Sequence, residues 1–89
     1  MNAMRIKYRL TFQKVGDIWV GAATGADAKS FSGMVRLNTT GYEVYSLLRD
    51  GLSEEEAVAR LKEKYTSGPI EEGVRKVIAT LSEQGILEL

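Results

Sequence analysis

The chain contains no cysteine and no histidine. Without thiols no disulfide can staple it, and the composition fits a reducing compartment. The two absences also remove the usual nucleophile, the proton shuttle of neutral pH and the commonest transition-metal ligands. Lysine, serine and carboxylates remain, but Asp17, Asp27 and Asp50 fall at apparent turns, where aspartate bonds its own local backbone. Catalysis by this chain alone is therefore not expected, and no cofactor or metal is expected either. Gly21 and Gly25 lack the strand-to-helix setting of a phosphate loop, and no acids stand at calcium-loop spacing. No apolar run approaches the roughly 20 residues of a membrane span, and no signal peptide is visible. The expectation is a soluble cytoplasmic protein with no membrane partner.

What is present suits one small domain over residues 1–89, with 44% hydrophobic and 27% charged residues. No reading is drawn from residues 1–4. A chain of this length buries only about two-thirds of the surface that its unfolded form exposes. The formal charge is zero but unevenly spread. Residues 1–16 carry Arg5, Lys7, Arg9 and Lys14 and no acid, a net of +4. Residues 50–72 carry seven acids against Arg60, Lys62 and Lys64, a net of −4. The bland reading is two solvated faces; the sharper one is a basic strand that attracts an acidic segment of a partner.

The alternation from Arg5 to Gln13 predicts a first strand, with Ile6, Tyr8, Leu10 and Phe12 on its buried face. Gly16-Asp17 suits a two-residue hairpin loop into a second strand, Ile18 to Ala23. Trp19, the single tryptophan, is read as a lid over the core. Residues 24–29 read as a loop. Phe31 to Leu37 forms the third strand, with Gly33 inside it as a bulge or close approach. Short connections favour an antiparallel meander.

Asn38-Thr39-Thr40 can cap a first helix, which Gly51 ends. Ser53 and Glu56 make a capping box for the second, whose apolar stripe is Val58, Leu61 and Tyr65. Pro69 fits the first turn of the third. That helix carries Ile70, Val74, Val77, Ile78 and Leu81, with Ile78 at the edge of the stripe beside Arg75. Gly85 closes it, and Ile86 then falls where a Schellman cap packs on Leu81. Gly73, inside the helix, either lets another backbone pass close by or is tolerated slack.

Phe31 to Gly41 (FSGMVRLNTTG), then Val44-Tyr45, Leu47-Leu48, Asp50-Gly51, Ser53 to Val58, Leu61, Tyr65 and Gly85-Ile86-Leu87 resemble the PqqD-like family. The resemblance runs over about residues 18 to 89. Tyr45 stands where an aromatic, often tryptophan, is usual. The resemblance implies a winged-helix-like α+β domain, three antiparallel strands followed by three helices (β-β-β-α-α-α). It also implies a peptide-binding module in the biosynthesis of pyrroloquinoline quinone and other ribosomally made, modified peptides. Such a module captures the leader of a precursor peptide and presents it to a modifying enzyme, often a radical S-adenosylmethionine protein. The leader is expected to add as a strand beside the third strand, in the groove towards the third helix. The peptide-binding residues would then be Ser32, Met34, Val35 and Arg36 on the strand, with Val74, Arg75 and Ile78 on the helix, Ile78 being either half-exposed at the edge of the groove or simply core.

The third strand carries only Arg36 as a charge, so its free edge is weakly guarded and open to pairing with a second copy as a homodimer. The rival reading is a winged-helix DNA-binding regulator. Its recognition helix should be basic, whereas the third helix sets Arg75 and Lys76 against Glu71, Glu72 and Glu83. No nucleic-acid partner is expected.

Overall fold

The computed structural model describes residues 5–8, 10–23, 33–66 and 68–88. The element order is β1 (Arg5–Ile6), β2 (Leu10–Val15), β3 (Ile18–Ala23), β4 (Met34–Asn38), α1 (Thr39–Arg49), α2 (Glu54–Lys64), α3 (Ile70–Glu83) and β5 (Leu87–Glu88). Strands β2, β3 and β4 form a three-stranded antiparallel sheet in chain order, followed by three helices. That is the expected α+β architecture.

The expected first strand is divided in two. Its start, β1, leaves the meander and pairs antiparallel with β5, setting Ile6 opposite Leu87. Only from Leu10 does the chain join β3. The turn after α3 carries Ile86 and Leu87 into the core. Their backbone groups then need partners, and β1 supplies them, with the Lys7 amide donating to the Ile86 carbonyl at 2.6 Å. Arg9 and the loop residues 24–29 lie outside the described residues, as do Phe31 and Ser32 at the start of the expected third strand. Gly33 precedes β4 rather than lying within it.

The hairpin turns at Gly16, and Val15 pairs with Ile18 across it. Further along, Phe12 stands opposite Gly21. A Cβ on Gly21 would fall 2.5 Å from the Phe12 ring, so the missing side chain lets that ring lie across β3. Phe12 then packs edge-on to Tyr42 and tilted against Tyr45 of α1, at centroid distances of 5.2 and 4.9 Å. Trp19 stacks on Tyr42, with centroids 4.0 Å apart and planes within 4°. This half-buried indole does roof α1, but its N–H is buried with no hydrogen-bond partner among the described residues. On the opposite face of the sheet, Val15, Ile18 and Met34 are left exposed.

Local signals set the helix ends. The Asn38 side chain accepts from the Gly41 amide at 2.7 Å and starts α1 directly after β4. At the other end Gly51 takes a φ of 97°, and the Leu52 amide reaches back to the Leu47 carbonyl, a Schellman closure. The capping box on α2 is present in both directions, Glu56 amide to Ser53 and Ser53 amide to Glu56. Pro69 caps α3 rather than opening its first turn, with Ile70 as the first helical residue. Gly85 and Ile86 close that helix as Gly51 and Leu52 close α1, through the Ile86 amide to Leu81 carbonyl bond. Helices and sheet share one core, in which Val35, Val44, Tyr45, Leu81 and Ile86 are wholly buried.

Candidate functional site

Strand β4 alternates sharply. Val35 and Leu37 turn into the core, while Met34, Arg36 and Asn38 face solvent. One edge of β4 is hydrogen-bonded to β3; its other edge carries no strand among the described residues. No Cα of β4 comes within 8 Å of a Cα of α3 among those residues. The two elements thus contribute to one core without closing on each other, and β4 keeps its unpaired backbone groups.

Helix α3 has two unlike flanks beside its buried stripe. One is clasped to α2: Glu71 accepts from Lys62 Nζ at 2.9 Å, and Arg75 Nε lies 3.7 Å from Glu54. At about 100° per residue, Gly73, Val77 and Thr80 fall on the opposite flank. All three are half-buried, as is Ile70 in the first turn. Gly73 and Ile70 share a cleft of about 220 Å³ with Thr40, Leu61, Tyr65, Gly68 and Pro69. Thr40 stands two residues beyond the end of β4, so the cleft opens where that strand runs out.

One wall of the cleft, Tyr65, is tied down by a carboxylate. Its hydroxyl donates to Glu43 Oε1, and Lys64 Nζ donates to Glu43 Oε2 at 2.8 Å. Burial pushes the Glu43 carboxyl up, but hydrogen bonds from Lys64 and Tyr65 and the charge of Lys64 outweigh it, and the group titrates below the ordinary range. The same hydrogen bonds push Lys64 and Tyr65 upward. Among the described residues no group of three or more His, Cys, Asp or Glu could hold a metal ion. No helix among them is long and apolar enough to cross a membrane.

The residues singled out in the sequence are not all brought together. Ser32 lies outside the described residues. Met34 and Arg36 are exposed on β4, whereas Val35 and Val74 are buried in the core. The expected half-exposed Ile78 is corrected: it is only 8% exposed and belongs to the core, because α2 closes over that edge of the stripe. Arg75 stays exposed but on the α2 side, in a shallow groove that it lines with Glu54, Ile78, Ala79, Ser82 and Glu83, so Arg75 and Ile78 do lie together. The half-buried Ile70, Gly73 and Val77 are not among the residues singled out, and Ile70 and Gly73 share their cleft with Leu61 and Tyr65 at the end of α2. Their one signal in the sequence was the glycine inside a helix. No backbone passes close to it, since a Cβ on Gly73 would meet nothing within 4 Å.

Comparison with known proteins agrees with this architecture. The family described as Coenzyme PQQ synthesis protein D (PqqD) matches residues 22–87, from the end of β3 to β5. Among solved structures, the chain is similar to one described as TbiB1 in complex with the TbiA(beta) leader peptide. The TM-score is 0.71 at 21% identity, with 94% of each chain covered, which shows a shared fold. No curated protein sequence matches the chain.

Proposed function

The chain belongs to the PqqD family, and from that premise we propose that it binds the leader segment of a ribosomally made precursor peptide and presents it to a modifying enzyme. The observation that carries this reading is the edge of β4 that carries no strand among the described residues. An extended peptide can satisfy the unpaired backbone groups of β4 by adding as a fourth strand. Alternate side chains of that strand then meet the helix. Met34 and Arg36 flank the peptide on the solvent side of the sheet, and Ile70 and Val77 meet it on the helix side. Arg75 and Ile78 take no part in this path, since one pairs towards α2 and the other is core. That the similar fold of TbiB1 is described with a leader peptide bound supports the same assignment.

In this reading the chain does no chemistry itself. The modifying enzyme, for which a radical S-adenosylmethionine protein is our candidate, acts on the peptide that the chain holds. The same β4 edge is open to a second copy when no leader is bound, so excess leader should shift any dimer towards monomer. A DNA-binding role is less well supported, because α3 exposes Glu71, Glu72 and Glu83 and its Arg75 already faces Glu54.

The test is titration with synthetic leader segments of candidate precursor peptides, followed by amide hydrogen exchange. Saturable binding with new protection at residues 34–38 is expected. Binding without protection there, or no binding, overturns the proposal.

A further inference from the structure

We infer that the face of the β2–β3–β4 sheet turned away from the helices docks the modifying enzyme, which meets it with apolar side chains around a carboxylate. The inference deepens the peptide-binding reading and rests on it. Pairing and alternation put an unbroken apolar strip on this face. It runs from Val15 to its partner Ile18, along β3 through Val20 and Ala22, and across to Met34. Val15 and Met34 are 63% and 62% exposed, and Ile18 is 40% exposed. A contiguous apolar surface of this kind marks an interaction site, whereas single exposed apolar residues need no explanation.

Charge and area decide what kind of partner fits. Among the described residues Arg36 is the one charged side chain on this face, and it is exposed with no acid paired to it. A second copy seated face to face would bring no acid to either Arg36. Nor is the face large enough for a stable pair of copies. Three strands of this length cover about 15 × 20 Å, or about 300 Å², against about 800 Å² per partner in a standard interface. A transient partner that sets a carboxylate within apolar surface fits both facts.

Position then selects the enzyme. The face ends at β4, whose outer edge takes the leader in the proposed reading. A leader added there widens the same sheet by about 4.8 Å and sets its own alternate side chains beside Met34 and Arg36. A protein seated on this face therefore lies alongside the held peptide, as suits the enzyme that acts on it. Gln13 and Val15 stand on β2, at the far side of the sheet from that edge, so changes there separate enzyme docking from leader binding.

Photo-cross-linking in the native host tests this, with p-benzoylphenylalanine in place of Val15 or, as a control, of the exposed Glu72 on α3. Mass spectrometry should identify a peptide-modifying enzyme joined to the Val15 position and not to the Glu72 position. With that enzyme purified, calorimetry should show about tenfold weaker binding for Gln13→Glu, which places an acid across Val20 from Arg36. Gln13→Lys should bind it more tightly, and both variants should bind leader segments as wild type does. Cross-linking from Val15 to a second copy, to a protein of another class or to none overturns the docking face. So does an enzyme indifferent to both Gln13 variants. Either result with leader binding intact strikes the docking face alone, whereas a wild-type protein that binds no leader segment strikes the peptide-binding reading and the inference with it.

Discussion

The Tyr65 hydroxyl donates to Glu43, joining the end of α2 to the middle of α1 across 22 residues of sequence. The second carboxylate oxygen takes Lys64. One half-buried acid thus holds the two residues that end α2, and with them a wall of the cleft.

That contact makes stability depend on pH. The Glu43 carboxyl titrates below its ordinary value of 4.5 because the bonds from Lys64 and Tyr65 outweigh the effect of burial. With the folded value lower, the unfolded chain binds more protons in acid, so the contribution is present above about pH 5 and is lost as pH falls through the folded value. Glu56, bonded to the Ser53 amide, and Glu71, bonded to Lys62, shift the same way and add to the acid limb. Lys64 and Tyr65 are raised, so their share persists below their ordinary values and fades only in strong alkali. Urea midpoints measured from pH 7 to 2 should fall below pH 5, and Glu43→Gln should flatten that fall while costing about 1 kcal/mol at pH 7.

Gly73→Ala should stabilise the fold. A Cβ there meets nothing within 4 Å, and alanine is favoured over helical glycine by about 1 kcal/mol. For a domain of this size the thermal midpoint should rise by about 4–8 °C. A lower midpoint would mean that the cleft is closed in solution.

Gly21→Ala should do the reverse. Its Cβ would lie 2.5 Å from the Phe12 ring, which is itself held by Tyr42 and Tyr45. Overpacking of this kind costs about 1–3 kcal/mol, readable as a lower denaturant midpoint.

The two sides of α3 should respond differently to substitution. Ile78→Ala should cost about 2–5 kcal/mol, because Ile78 is core, and Ile78→Asp should not fold. Val77→Asp, on the half-buried flank, should fold and lose leader binding by calorimetry. Arg75→Glu should fold and bind normally, because Arg75 points to α2. If Val77→Asp binds as wild type while Arg75→Glu does not, the peptide lies on the α2 side.

Most of what depends on neighbours within about five residues was legible in the sequence, Pro69 and Gly33 each falling one position outside the expected element. Asn38 as a cap, the Ser53–Glu56 box, the hairpin at Gly16 and the closures at Gly51 and Gly85 all follow from backbone groups that a nearby side chain or a glycine satisfies. The order of three strands and three helices followed from periodicity in the same way. The flanks of α3 were a different matter. Helical spacing sets Val77 within the apolar stripe and Ile78 at its edge, whereas packing between helices buries Ile78 and leaves Val77 half-buried. The break after β1 had the same origin, since alternation from Arg5 to Gln13 carries no record of β5, whose partner lies more than 80 residues away. Side-chain periodicity specifies which faces of an element are apolar, but what covers each face is settled by packing between elements distant in sequence.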